Sequence, residues 1–552
     1  YLHTNSIIMR LHIFLLIVAI FNLPAFSQTT KSEKPKLVVG IVVDQMRNDY
    51  IERFWNHYSE DGFKRLVNNG YRFKNAHFNY VPTYTGPGHA SIYTGTTPAT
   101  HGIIGNNWYD KTIDASVYCA GDTSVQPIGT MDNAGMMSPH RMTVTTIADE
   151  NRLATQRRGK TIGVALKDRG AILPAGHTAN AAYWFHGMDE GQWISSSFYM
   201  DSLPQWVVEF NSSGKAASYF KTWNTLYPIE TYVESGTDMN KFEGGFKGKE
   251  TATFPYNLQE LRAHNNNFEL LKAVAFGNDL TTDFAIAAIE GEKLGQNNDT
   301  DFLTLSYSST DYVGHNFGVN SKEVQDTYLR LDKNIAELLQ YLDKTVGKDQ
   351  YIVFLTADHA AVDVPAYLDS LKIPAGYFDS RSFRNNIDSL VQKEYGNKNL
   401  IKNISNNQLF FNYELLHEMN INIDSFQQKL SNYILMQDNI HRVYTRQQIV
   451  NGAYTKGMDE LINNGFNHKR SGDLIYVLDP SFISYSRTGS THGSSFMYDT
   501  HVPMLFYGKG VKSGSSSRRS EIVDIAPTIA VMLGISFPSG TTGEPLYWML
   551  DE

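Results

Sequence analysis

Cysteine is nearly absent: Cys119 is the single one in 552 residues. One thiol closes no intrachain disulfide, so the chain is not a disulfide-built extracellular scaffold, and its core or bound metals must hold it. Cys119 itself, in Val-Tyr-Cys-Ala-Gly, reads as a small hydrophobe. No Lys/Arg-rich run breaks the acidic balance of 48 Lys+Arg against 57 Asp+Glu. The electrostatic footprint of a nucleic-acid binder is therefore missing. Proline is sparse at 18 residues, the 42 glycines follow no period, and no repeat or low-complexity segment is present. With 41% hydrophobic and 19% charged residues, this excludes collagenous, coiled-coil and disordered chains. Long apolar runs are also lacking, apart from residues 11–21. That run is short of the ~20 residues of a membrane span. It follows Met9-Arg10 and precedes the small residues Ala25 and Ser27, the layout of a secretory signal peptide cleaved before Gln28. The expectation is a signal peptide over 1–27, with 1–8 upstream of the true start. The mature chain would carry no stable membrane anchor and be exported, periplasmic or secreted, from a bacterium.

What the chain does have is a set of short β-branched runs that each stop at an acid or a histidine. Residues 36–44 are continuously apolar up to Asp44, the mark of a buried parallel strand, and 302–307 and 351–356 repeat the pattern. Between the last two, Val324, Tyr328, Leu331, Ile335, Leu338 and Leu342 form one helical stripe over 322–344. Strand, amphipathic helix and strand make a βαβ unit, so the two strands should be parallel with a right-handed crossover. Asp311 and His315 then follow one carboxyl end, Asp358 and His359 another, and Asp44 a third, which is where ligand sites form in open α/β sheets. The expected fold is α/β, a mostly parallel central sheet flanked by helices. Its core is discontinuous, over 36–170, 266–360 and 486–552, the last part including a helix at 522–533. Two large insertions, 171–265 and 361–485, rich in Asn, Ser, Gly and Tyr, would wall the site.

The chemistry concentrates in a few motifs. Thr85 opens Thr-Gly-Pro-Gly-His ahead of a helical run, so its hydroxyl stands over a helix N-terminus that favours an anion. For an isolated Thr before a helix an ordinary N-cap is the commoner role, so the neighbouring motifs must carry the rest. Asp311-Tyr-Val-Gly-His315 puts a carboxylate and an imidazole four apart in a loop, and His492 sits among small residues. Two His and one Asp match an open zinc site. Asp44, Asp358 and His359, with the Thr85 oxygen, complete a second group of four. Two Zn²⁺ would balance the three carboxylates and a Thr85 alkoxide, giving a neutral centre, and a phosphate dianion would then need cations. Lys167-Asp-Arg169 offers them if the segment is extended, since residues two apart then face one side. A solvated charged turn accounts for the pair as well. Asn106 is a neutral donor to the same oxygens or a turn residue.

Together Asp44, Thr85 with Gly-Pro-Gly-His, Asp311-x-x-x-His315, Asp358-His359, His492 and Asp524-Ile-Ala-Pro-Thr-Ile resemble the alkaline phosphatase superfamily over about 36–545. The resemblance is greatest to secreted bacterial alkaline phosphatases with a threonine nucleophile, because Asn106, Lys167 and Arg169 stand where that branch places its phosphoryl contacts. It implies two Zn²⁺ per chain held by Asp44, Thr85, Asp311, His315, Asp358, His359 and His492. It also implies a phosphothreonine on Thr85 and small-molecule phosphate monoesters as substrates. It gives His89, His101 and His177 no ligand role and leaves the oligomeric state open. The alternative is a nucleotide pyrophosphatase/phosphodiesterase of the same superfamily, from which Lys167 and Arg169 discriminate. A third reading is a secreted binding protein that kept the fold and lost the activity.

Overall fold

The computed structural model describes residues 34–550, so the expected signal peptide falls outside the described residues. In chain order the elements that position the site are strands β1 (Leu37–Val43), β2 (Tyr71–His77), β3 (Asn107–Asp110), β4 (Ala115–Tyr118), β5 (Thr161–Ala165), β6 (Ala181–His186), β7 (Gln192–Ser196), β8 (Asp301–Tyr307), β9 (Tyr351–Thr356) and β10 (His501–Gly508). The helices are α1 (Thr85–Thr94), α2 (Asp168–Ala175), α3 (Ser309–Phe317), α4 (Lys322–Leu342) and α5 (Ile525–Leu533).

β1 is apolar and buried at every position, so it can only lie inside a sheet covered on both faces. It is central in an 11-stranded sheet. Strands β9, β1, β8, β5 and β6 run parallel in that order. β10 adds antiparallel to β9, β2 antiparallel to β10, and β7 antiparallel to β6. The sheet is thus mostly parallel, as expected. α4 connects β8 to β9 and buries all six residues of its stripe. The two strands are parallel, but β1 lies between them.

The register explains why the site exists. Ala165, Ser306, Val42 and Thr356 share one row across β5, β8, β1 and β9. Two residues past that row, at the carboxyl ends, stand Lys167, Ser308, Asp44 and Asp358.

Two expectations need correction. Asp311 and His315 are not in a loop but four apart on α3, which brings them onto one helix face. Gly314 lies within that helix. A Cβ there would sit 1.9 Å from Gln45 Oε1, so the glycine makes room for a side chain packed against α3. The first insertion also begins later than 171, because α2, β6 and β7 belong to the core. Their aromatic run Tyr183-Trp184-Phe185 is fully buried in strand β6 rather than in a wall. The second insertion builds its own antiparallel four-stranded sheet from Ile401–Ser405, Gln408–Phe411, Ile440–Thr445 and Leu474–Leu478. That sheet has a separate apolar core around Phe383, Leu409, Phe426 and Leu474. From Pro35 onward the chain is one compact unit. Among the described residues no helix is long and apolar enough to cross a membrane.

Candidate active site

α1 begins at Thr85 because Tyr84 is extended, with φ −115° and ψ 161°. Pro87 falls in the first turn, where no intrahelical N–H is needed. The N-cap position is Tyr84, and no side chain caps the helix. Thr85 is therefore not the cap but the first helical residue, and its hydroxyl stays free for other work. It is buried, with Oγ1 3.5 Å from His359 Nε2. The turn can approach the Asp358 segment only because position 88 is glycine. A Cβ there would lie 2.2 Å from the Asp358 carbonyl oxygen.

The six other expected ligands converge beside it. Donor atoms of Asp44, Asp358 and His359 lie within 4.8 Å of one another, as do those of Asp311, His359 and His492. His315 Nε2 is 3.2 Å from Asp311 Oδ1 and His492 Nε2 is 3.7 Å from it. The expected grouping differs in one respect: His359 lies close to both groups, and His315 joins through Asp311.

The donor chemistry fits metal on three independent counts. Asp44 Oδ1 and Asp358 Oδ2 are buried without a hydrogen-bond partner, which native interiors rarely tolerate. All three imidazoles face a backbone carbonyl through Nδ1: His315 to Ser490 at 2.7 Å, His359 to Ala360 at 3.0 Å and His492 to Thr83 at 2.7 Å. A carbonyl only accepts, so Nδ1 carries the proton and Nε2 turns its lone pair toward the carboxylates. Burial also pushes the His359 and His492 imidazoles down, toward the neutral form that ligates.

Charge within the cluster is uneven. Burial, and then the neighbouring Asp358 carboxylate, push Asp44 well above the ordinary carboxylate range. Burial would do the same to Asp311, but the His315 imidazole and the Lys167 ammonium outweigh it and hold the group low.

The cationic pair departs from expectation in its geometry. Lys167 is extended, but the chain turns into α2 at Asp168, so Arg169 already lies in the helix. The two side chains consequently part. Lys167 Nζ donates to Asp44 Oδ2 at 2.6 Å and Asp311 Oδ2 at 2.5 Å. The Arg169 guanidinium donates through Nη1 to the Tyr118 hydroxyl at 3.2 Å. Both still line one cleft of about 140 Å³ with Tyr118, Trp184 and Tyr312. Asn106 Oδ1 accepts from the Gly86 N–H at 2.7 Å, which orients the amide and leaves Nδ2 as a donor at the start of α1.

Several residues at the site carry no signal in the sequence. Gln45, at φ 65°, sends its N–H to Asp358 Oδ1 and its Nε2 to Asp311 Oδ1, tying the two groups together. His89, judged a packed histidine, holds its Nδ1 2.9 Å from the Thr85 carbonyl and 3.3 Å from Asp358 Oδ2. His101 and His177 stay outside, bonded to Ser91 and to the Met142 carbonyl. Cys119 is buried and free, one more apolar side chain in its cluster.

Comparison with known proteins places this geometry in context. The family model for type I phosphodiesterase / nucleotide pyrophosphatase matches residues 38–501. A Myroides odoratus protein named calcium-transporting ATPase is 45% identical over 527 residues, 95% of this chain and 96% of its own. Alkaline phosphatase PhoV of Synechococcus elongatus is 45% identical over 94% of this chain and 93% of its own. Alkaline phosphatase PafA of Elizabethkingia meningoseptica is 42% identical over 94% of this chain and 95% of its own. The crystal structure of wild-type PafA superposes with a TM-score of 0.90, covering 94% of this chain and 99% of that one. A second PafA structure is of a variant in which a threonine, an asparagine, a lysine and an arginine are replaced together.

Proposed function

The chain belongs to the type I phosphodiesterase / nucleotide pyrophosphatase family, within the alkaline phosphatase superfamily, and from that membership we propose a zinc-dependent phosphate monoesterase working through a phosphothreonine at Thr85. It is a phosphatase, a hydrolase of small phosphate esters.

Asp311, His315 and His492 would hold one zinc ion, and Asp44, Asp358, His359 and the Thr85 oxygen the other. When bound, the two ions supply positive charge opposite the phosphoryl and leaving oxygens. Thr85 Oγ1 attacks phosphorus while the bond to the ester oxygen breaks, and the hydroxyl proton ends on that oxygen, which leaves as the alcohol. Water then cleaves the phosphothreonine, releasing phosphate and restoring the hydroxyl. The free N–H groups at the start of α1 and Asn106 Nδ2 donate to the phosphoryl oxygens. Lys167 has three protons, two of them on Asp44 and Asp311, so one remains for the substrate.

The observation that carries the monoester reading is the pair of cations lining a single cleft, with Lys167 hydrogen-bonded to Asp44 and Asp311. A monoester dianion matches them. A diester has one charge and would set an ester arm against a buried cation, at a cost of several kcal/mol. The residue types replaced in the PafA variant, Thr, Asn, Lys and Arg, are those of Thr85, Asn106, Lys167 and Arg169, which supports the same assignment. Export to the periplasm or the medium is part of the proposal.

The test is the rate of one monoester against one diester with the same leaving group. The monoester should win by roughly a thousandfold in kcat/KM, and replacing Lys167 and Arg169 by Ala should narrow that ratio. A wild-type preference for the diester would transfer the function to the phosphodiesterase reading. Zinc content of about two per chain is expected of the enzyme, and about none of a binding protein that lost its activity.

A further inference from the structure

The Arg169 guanidinium has one hydrogen bond to protein among the described residues, and it goes to the Tyr118 hydroxyl. Its Nε is buried without a partner. Aim therefore depends on what fixes Tyr118. That hydroxyl has one proton and donates it to Asp168 Oδ1 in a short hydrogen bond, leaving its lone pairs toward Arg169. Asp168 Oδ1 also accepts the Arg169 backbone N–H at 2.5 Å. Carboxylate, phenol and guanidinium form a closed loop of three residues at the first turn of α2.

The same tyrosine is tied to the other side of the pocket. Tyr118 ends β4 and pairs with Asn107 of β3, immediately after Asn106. One residue on, the Cys119 N–H donates to the Asn106 carbonyl at 2.9 Å. The open end of the hairpin β3–β4 thus carries both Asn106, against the Gly86 N–H, and Tyr118, the support of Arg169.

We propose that Tyr118 is a positioning residue for monoester hydrolysis: its hydroxyl, polarised by Asp168, aims the Arg169 guanidinium at the phosphoryl group. This rests on the monoesterase reading. Tyr118 touches no reacting atom, and its contribution passes entirely through Arg169.

The experiment is a double-mutant cycle with Tyr118→Phe and Arg169→Ala, assayed on a monoester and a diester with the same leaving group. Phe preserves the ring and its packing, and thermal melting checks that the fold is kept. Tyr118→Phe should lower monoester kcat/KM about tenfold, the scale of one hydrogen bond to a charged group, and lower the diester less. Inhibition by inorganic phosphate should weaken in parallel. In the Arg169→Ala background the Tyr118 substitution should add almost nothing. A full additional loss in that background, or equal losses on both esters, overturns the proposal. If Arg169→Ala itself leaves monoester turnover intact, the monoesterase reading fails first, and the two failures are told apart.

Discussion

Replacing Gly88 by alanine tests whether the close approach of α1 to the Asp358 segment organises the site. Intrinsic preference favours the substitution, since alanine gains ~1 kcal/mol over glycine inside a helix. The local geometry opposes it. The new Cβ would meet Asp358 O at 2.2 Å, Asp358 Cβ at 2.7 Å and the Asp358 carbonyl carbon at 2.8 Å. Relief needs a displacement of about 1 Å to reach ordinary contact. The obstacle is backbone, which cannot rotate aside as a long side chain would, so the overpacking cost sits toward the upper end of ~1–3 kcal/mol. A net loss of ~1–2 kcal/mol of stability follows. The larger effect is on function, because the displaced residues carry Thr85 on one side and Asp358 and His359 on the other. A misplacement of about 1 Å costs on the order of 100-fold in rate, and the group of Asp44, Asp358 and His359 should hold metal more weakly. Gly86→Ala is the internal control. Its Cβ would meet nothing closer than Asn106 Oδ1 at 3.1 Å, Cys119 Sγ at 3.2 Å and the Gly105 carbonyl oxygen at 3.4 Å. Melting temperature, metal content and monoester kcat/KM of the two variants decide the matter. A Gly88→Ala protein with wild-type metal content and turnover would refute the argument, as would a Gly86→Ala protein damaged to the same degree.

Thr85→Ala should abolish phosphoenzyme formation with the fold intact, measured by acid-quench labelling with a phosphate-labelled monoester; full turnover by the variant would remove Thr85 as nucleophile. Asp311→Ala and His492→Ala should each lower the zinc content by elemental analysis, and should slow alkyl phosphates more than aryl phosphates, because poor leaving groups need the most charge stabilisation; equal slowing would separate these ligands from the leaving oxygen. Asp499 is buried with Oδ1 unpartnered, and burial pushes its carboxyl up to about 7. Its folded value lies above the unfolded one of ~3.9, so the folded state binds the extra proton and stability falls as pH rises from about 4 to 7, by on the order of 4 kcal/mol. Asp499→Asn should therefore melt higher than wild type at pH 8 and close to it at pH 4, and a gap of the same size at both pH values would contradict the assignment.

The sequence yields most readily what depends on period. Continuous apolarity at 37–43 specifies a buried strand, and the stripe from Val324 to Leu342 specifies the crossover helix. Their ends then locate Asp44 and Asp358 on one edge, a placement that the parallel register makes exact to the residue. Local sequence fails at Asp311-Tyr-Val-Gly-His315, expected in a loop: the segment is helical, and its glycine makes room for Gln45, distant in sequence. It fails again at Lys167-Asp-Arg169, where the strand ends one residue too early for both cations to face one way. Partners such as Gln45 and Tyr118 are beyond reach altogether: each acts through contacts more than forty residues away, and neither residue type announces that role. The insertion over 361–485 has its own core, but its strands are short and two of them are buried at every position, so the alternation that would identify them is missing.

Metal ligation and charge matching lie on different pieces of chain. Asp44, Asp358 and His359 follow strands of the central sheet, and Asp311 and His315 ride on α3, so the core packing itself dictates where they stand. Asn106, Tyr118 and Arg169 depend instead on the β3–β4 hairpin and the first turn of α2, which hydrogen-bond toward the ligand groups through Lys167 and Gly86. Changing the hairpin would alter how many phosphoryl oxygens are met by donors while leaving the strand ends and α3, which carry Asp44, Asp311, His315, Asp358 and His359, in place. This division accounts for a family model described by phosphodiesterase chemistry covering 38–501 of a chain whose relatives at 42% and 45% identity are named alkaline phosphatases. The shared ligand scaffold supplies the hydrolytic chemistry. On the proposed reading, the hairpin and Arg169 would decide whether the third oxygen of the phosphoryl group carries a charge or an ester.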